Sequence, residues 1–134
     1  MTRGKEGEIN GKDTNVAEMT FEFALKIVDL YRYLKKQGES VMSKQLLRSA
    51  TSIGANVEEA QAAQSKRDFV AKMAIASKEA RETRYWLRLL EGSGFLRGFD
   101  GVPDLKNRVH SIISVLTRII KTTQENLKIN QEKK

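Results

Sequence analysis

His110 is the chain's one histidine, and there is no cysteine. A histidine acting as general base needs a nucleophile or an orienting carboxylate within hydrogen-bond reach, and no motif here supplies either. Zinc requires several nitrogen or sulfur ligands at set spacing, and one imidazole falls short of that. His110 therefore reads as a histidine on, or partly under, a helix surface. Glu79 and Glu82 share a helix face at i,i+3, and Glu58 and Glu59 stand on the helix before. Carboxylates projecting into a bundle hold paired metals when Glu-x-x-His motifs accompany them; the sequence contains none. Glu79 and Glu82 are expected to pair with Arg81, Arg84 or Lys78, while Glu59 is expected to act as a buried acceptor for neighbouring polar groups. No glycine-rich phosphate loop follows a strand. The expectation is a protein with no catalytic residue, no cofactor and no metal, and so not an enzyme.

The residues with functional potential are the basic ones. The formal net charge is +7 and the isoelectric point is near 9.7, which suits nucleic acid, acidic proteins or anionic surfaces without choosing among them. Between Ser65 and Gly92 seven basic side chains face four acidic ones, and between Leu105 and Lys134 seven face two. Arg81, Arg84 and Arg88 follow i,i+3,i+7 and form one ridge. Lys66, Arg67, Arg81, Arg84, Arg88, Arg118 and Lys121 are the candidate nucleic-acid contacts, because phosphate contacts accumulate steeply in affinity. The plainer alternative is a solvated charged face laced with i,i+4 pairs such as Lys78 and Glu82. Trp86 is able to stack on a base, but packing in the core or at a subunit contact is favoured. No zinc-finger or helix-turn-helix pattern indicates sequence-specific reading.

Four elements must position these residues. Spacings of three and four among Phe21, Leu25, Val28 and Tyr31, and among Phe23, Ile27, Leu30 and Leu34, predict a helix over about 20–37, closed by Gly38. Ser43 is the expected N-cap of a second helix over 43–64. Its apolar stripe is Leu46, Ala50, Ile53, Val57 and Ala60. Beside it runs a polar stripe of Gln45, Ser49, Ser52, Asn56 and Glu59, expected to set helix register or a subunit contact. From Gln45 to Ala60 the only charges are Arg48, Glu58 and Glu59, and a helix without a charged face tends to be covered on more than one side. Gly54 lies mid-helix at a cost of about 1 kcal/mol relative to alanine, which points to a close helix–helix approach.

Ser65-Lys66-Arg67-Asp68 resembles a capping box and opens a third helix over 66–91. Its core stripe is Phe69, Met73, Ala76, Ala80, Leu87 and Leu90, and it stops at Gly92-Ser93-Gly94. Phe95 and Leu96 are expected to fold back over the core. Pro103 fits the first turn of a fourth helix over 103–128, whose heptad line is Leu105, Val109, Ile112, Leu116, Ile119 and Thr123. The reading is all-α: an antiparallel, up-down-up-down four-helix bundle over 17–128, since the connections are too short for a crossover. A disordered polar leader is expected over 1–16 and a frayed basic tail over 129–134. At 134 residues this is one domain. The lack of cysteine, signal peptide and any apolar run of about 20 residues predicts a soluble protein of the reducing cytoplasm, with no membrane partner.

The order Gln45-Leu46-x-Arg48-Ser49-Ala50-x-Ser52-Ile53-x-x-Asn56-Val57-x-Glu59, then Asp68-Phe69, then Ala76-Ser77-Lys78-Glu79-Ala80-Arg81-Glu82-Thr83-Arg84-Tyr85-Trp86-Leu87-Arg88-Leu89-Leu90, resembles the bacterial four-helix-bundle family first noticed as products of 23S rRNA intervening sequences. The resemblance covers about 21–120. Gly54 stands where many relatives have proline, and Ala60 where many have glycine. The resemblance implies a homopentameric ring of bundles. It extends to the accessory variability determinant of diversity-generating retroelements, a basic pentamer that binds a reverse transcriptase and nucleic acid. The combined expectation is a non-enzymatic homo-oligomeric scaffold. Its basic surface would bind RNA or DNA, or a nucleic-acid enzyme such as a reverse transcriptase, without strong sequence specificity. The alternative is a purely structural or protein–protein interaction oligomer.

Overall fold

The computed structural model describes residues 11–132. They form four α-helices: α1 (Gly11–Lys36), α2 (Met42–Gln61), α3 (Lys66–Gly92) and α4 (Val102–Glu132). No strand occurs among the described residues. Each helix packs on the next and α1 returns to α4, while the two diagonal pairs do not approach each other. The α2–α3 seam is the most extensive and α1–α4 the thinnest. One core fills the centre of this four-helix bundle. Phe23, Ile27, Leu30 and Leu34 enter it from α1, Leu46, Ile53 and Val57 from α2, Met73 and Leu90 from α3, and Ile112 and Leu116 from α4, all fully buried. Each burial contributes about 1.5–3 kcal/mol relative to exposure. The heptad line of α4 is buried from Leu105 to Ile119, and Thr123 is half-buried with its hydroxyl donated back to the Ile119 carbonyl oxygen.

The two glycine stops behave as chemistry requires. Gly38 and Gly94 have φ of 84° and 88°. The N–H of Glu39 donates to the Leu34 carbonyl oxygen at 2.9 Å and that of Phe95 to Leu90 at 3.1 Å. This is the six-to-one closure of a helix ending in a left-handed residue. Ser65 caps α3 as expected, its Oγ accepting from the Asp68 N–H at 3.0 Å.

Several boundaries differ from the sequence reading. Helix α1 starts at Gly11, not near Thr20, so 11–16 are helical and 1–10 of the expected leader lie outside the described residues. The cause is tertiary: Val16 is fully buried, and Thr20 returns its hydroxyl to the Val16 carbonyl oxygen at 2.8 Å. Helix α2 ends at Gln61 and α4 continues to Glu132. Ser43 is not the N-cap; it lies buried inside α2. The N-cap position is Val41, whose own side chain caps nothing; Glu39, two residues earlier, supplies the capping carboxylate, its Oε2 accepting from the N–H groups of Val41 (3.0 Å) and Met42 (2.9 Å) and its Oε1 from Ser43 (2.6 Å). Of the expected cover, Leu96 is buried but Phe95 is exposed. Gly54 does face α1, yet a methyl group there would sit 3.5 Å from Thr20 Oγ1, an ordinary contact. The approach is close without requiring glycine.

Candidate nucleic-acid interface

Helix α3 carries most of the candidate contacts. Its buried stripe is Met73, Ala76, Ala80, Thr83, Leu87 and Leu90, and its acidic residues lie beside that stripe on the two flanks. On the α2 flank, Arg48 reaches across and takes both carboxylates: Nη1 donates to Glu79 Oε1 at 3.2 Å and Nη2 to Glu82 Oε2. Arg48 Nε also donates to Gln45 Oε1 at 3.2 Å, and Trp86 Nε1 donates to Glu82 Oε2 at 3.0 Å. On the α4 flank, Lys106 donates to Glu91 at 2.9 Å. The expected pairing of Glu79 and Glu82 with Arg81, Arg84 or Lys78 does not occur. Arg48 already stands opposite the acids across the seam, whereas Lys78 and Arg81 of the same helix are exposed and Arg84 is half-buried away from them.

This leaves a ridge of one sign. Among the described residues, Lys66, Arg67, Lys78, Arg81, Arg84 and Arg88 have no carboxylate within ion-pair distance, and all but Arg84, which is half-buried, are exposed. Arg118 and Lys121 are also exposed and unpaired in this sense. They lie elsewhere on the surface. Arg118 is two helical turns on from Ser111 and shares its face, which borders the α1–α4 cleft. The structure therefore gathers the α3 arginines and separates Arg118 from them.

The polar stripe of α2 faces α3 within the same chain. Ser49 is buried, and Thr83 Oγ1 lies 2.8 Å from Ser49 Oγ and 2.8 Å from the Glu79 carbonyl oxygen. Asn56 Nδ2 donates to the Ser52 carbonyl oxygen at 2.8 Å. Glu59 is exposed, not a buried acceptor, and receives Lys72 Nζ at 3.0 Å. That hydrogen bond and the carboxylate charge raise the Lys72 amine above its ordinary value. Trp86 is half-buried against the core and stands edge-on to Tyr85 at 5.1 Å between ring centroids. Every buried side-chain polar atom among the described residues has a partner.

Sequence reasoning missed Arg48, Thr83 and Glu39. Arg48 had a signal: it is the lone cation of a charge-poor segment whose neighbouring helix carries two acids at i,i+3. Thr83 sits in register with the α3 core stripe, and its polarity hid it.

Elsewhere the surface offers little for chemistry. No cluster of three or more metal-ligating side chains occurs among the described residues. His110 is exposed on α4. A cleft of about 240 Å³ between α1 and α4 is lined by Met19, Asn107, Arg108, Ser111 and Ile112, but Arg108 is already held by Asp104 at 2.8 Å and lies 4.0 Å from Glu22. No described helix is long and apolar enough to cross a membrane.

With this geometry in place, comparison with known proteins gives a family and solved structures. The family model described as 23S rRNA-intervening sequence protein matches residues 12–118. The structure of a protein of unknown function from the S23 ribosomal protein family of Bacteroides thetaiotaomicron VPI-5482 is 48% identical. The match covers 82% of this chain and 98% of that one, with a TM-score of 0.77. No curated protein matches the sequence significantly.

Proposed function

From the premise that the chain belongs to the 23S rRNA-intervening sequence protein family, we propose that it is a non-enzymatic homo-oligomeric scaffold of the cytoplasm whose basic surface binds nucleic acid, or an enzyme acting on nucleic acid, without strong sequence specificity. In this reading the helices run up-down-up-down and the bundles assemble as a homopentameric ring. The cyclic helix contacts and the short connections 37–41 and 62–65 support the topology. One observation carries the functional reading. The acids Glu79, Glu82 and Glu91 of α3 are neutralised from α2 and α4, so the Arg81–Arg84–Arg88 ridge keeps its full charge. A ring would repeat that ridge, and phosphate contacts summed around it bind by counterion release.

Filter binding of labelled RNA and DNA across a salt series tests this. Affinity should fall linearly on logarithmic axes. Replacing Arg81, Arg84 and Arg88 together by Gln should flatten the slope by about 2–3, roughly 0.7–0.9 per phosphate contact. Weak binding with no salt slope at near-physiological salt would overturn the reading. The separation of Arg118 from the α3 ridge favours the second reading, a protein–protein interaction oligomer whose charge serves solubility. Pull-downs that return the same proteins after nuclease treatment would support it.

A further inference from the structure

Two helices of the bundle carry large apolar side chains on their solvent faces. On α1, Phe21 is 61% exposed and Leu25, one turn on, is 53% exposed. They lie beside a shallow recess lined by Ala17, Glu18, Phe21, Glu22 and Glu58, so this face is apolar with an acidic rim. On α3, Ile75, Tyr85 and Leu89 are exposed, and Lys78 stands among them with no carboxylate in ion-pair distance among the described residues. That face is apolar with a basic rim. Scattered exposed apolar residues are ordinary, but clustered ones with a polar rim mark contact surfaces.

Helices α1 and α3 are a diagonal pair of the bundle, so their outer faces point to opposite sides of the molecule. The two patches match in character and oppose in charge. A contact between two different patches on opposite sides is heterologous, and such contacts generate rings when the rotation closes. We infer that the α1 face of one copy (Phe21, Leu25, with Glu18 and Glu58) seats on the α3 face of the next copy (Ile75, Tyr85, Leu89, with Lys78). Nucleic acid is a poorer occupant for the α3 face, because Ile75 and Leu89 offer phosphates nothing and their burial requires an apolar partner. It is excluded from the α1 face by like charge. This inference rests on the oligomeric reading and assigns its interface. It also divides the basic residues: Arg84 is two turns before Glu91 and so shares its α4-facing flank, leaving it available to a ligand when the neighbouring copy is in place.

The heterologous geometry makes a sharp test. The double variant Phe21→Ser/Leu25→Ser blanks the α1 face, and Ile75→Ser/Leu89→Ser blanks the α3 face; all four positions are exposed, and circular dichroism checks that helicity is retained. Light scattering at micromolar concentration should show wild type at several times the 15.2 kDa chain mass and each variant alone at one chain mass. Mixing the two variants leaves one intact α1–α3 contact per pair and should give a dimer that grows no further. If either variant keeps the wild-type mass, or the mixture stays monomeric, the assigned interface is wrong although the ring survives. A monomeric wild type would overturn both. Nucleic-acid binding by the Arg84→Gln variant, read separately across salt, tests the functional reading without touching the contact.

Discussion

Replacing Glu39 by Gln should destabilise the fold, and the loss should depend on pH. Glu39 is 6% exposed and its two oxygens accept three backbone N–H groups of the first turn of α2, at 3.0, 2.9 and 2.6 Å. Burial pushes the carboxyl up, but the hydrogen bonds from Met42, Ser43 and Val41, with the Ser43 side chain, outweigh it and hold the group below its ordinary value of 4.5. The charge also faces the positive end of the α2 dipole. Gln keeps one acceptor oxygen; if that oxygen serves Val41 and Met42, its NH₂ meets the Ser43 N–H donor to donor. Loss of a charged cap in a partly buried site is worth about 2 kcal/mol, or roughly 30-fold in the unfolding constant. Urea denaturation of both proteins at pH 7 measures this. The sign follows from linkage: a carboxyl whose folded-state value is depressed contributes stability that is complete above its unfolded value and is lost as pH falls through the folded one. The gap between wild type and variant should therefore be constant above about pH 5 and narrow below 4.5, the ordinary value. A gap under about 0.5 kcal/mol at pH 7 is too small for a lost cap and would refute the capping argument; a gap unchanged by acid would refute its electrostatic part.

Three further outcomes are expected. Gly54→Ala should stabilise the fold by about 0.5–1 kcal/mol in thermal or urea unfolding, since the added methyl meets Thr20 Oγ1 only at 3.5 Å. Thr83→Val should cost about 1 kcal/mol, and a double-mutant cycle with Ser49→Ala should show coupling, because the two hydroxyls lie 2.8 Å apart in the buried α2–α3 seam. Leu30→Ala, at a fully buried position, should cost about 2–5 kcal/mol through the lost transfer energy and the cavity left behind, read from the midpoint of urea unfolding.

How much could be read without the fold depends on the range of each interaction. Helix existence and core faces follow from spacing that every residue carries locally, so Phe23–Leu34, Leu46–Ala60, Met73–Leu90 and Leu105–Ile119 were legible. The Ser65 cap and the Gly38 and Gly94 stops were legible for the same reason, as each acts within a few residues. The start of α1 was not, because Gly11–Asn15 is polar and the anchor that extends the helix there is Val16, buried only by contact with other helices. Glu39 was missed although its partners are close in sequence, because a carboxylate four residues before the expected cap Ser43 reaches the start of α2 only in the tight turn that Gly38 makes possible.

The sequence by itself determined an all-helical chain, its four segments, its core stripes and its excess of positive charge, since periodicity and composition need no partner to be read. The tertiary structure alone decided which charges remain. Arg48 neutralises Glu79 and Glu82 from 31 and 34 residues away along the chain, and Lys106 takes Glu91, while Arg81, Arg84 and Arg88 stay unpaired among the described residues. Ion pairing is decided by distances of a few ångströms across a helix seam, and no spacing along one helix encodes which side chain of its neighbour will stand opposite.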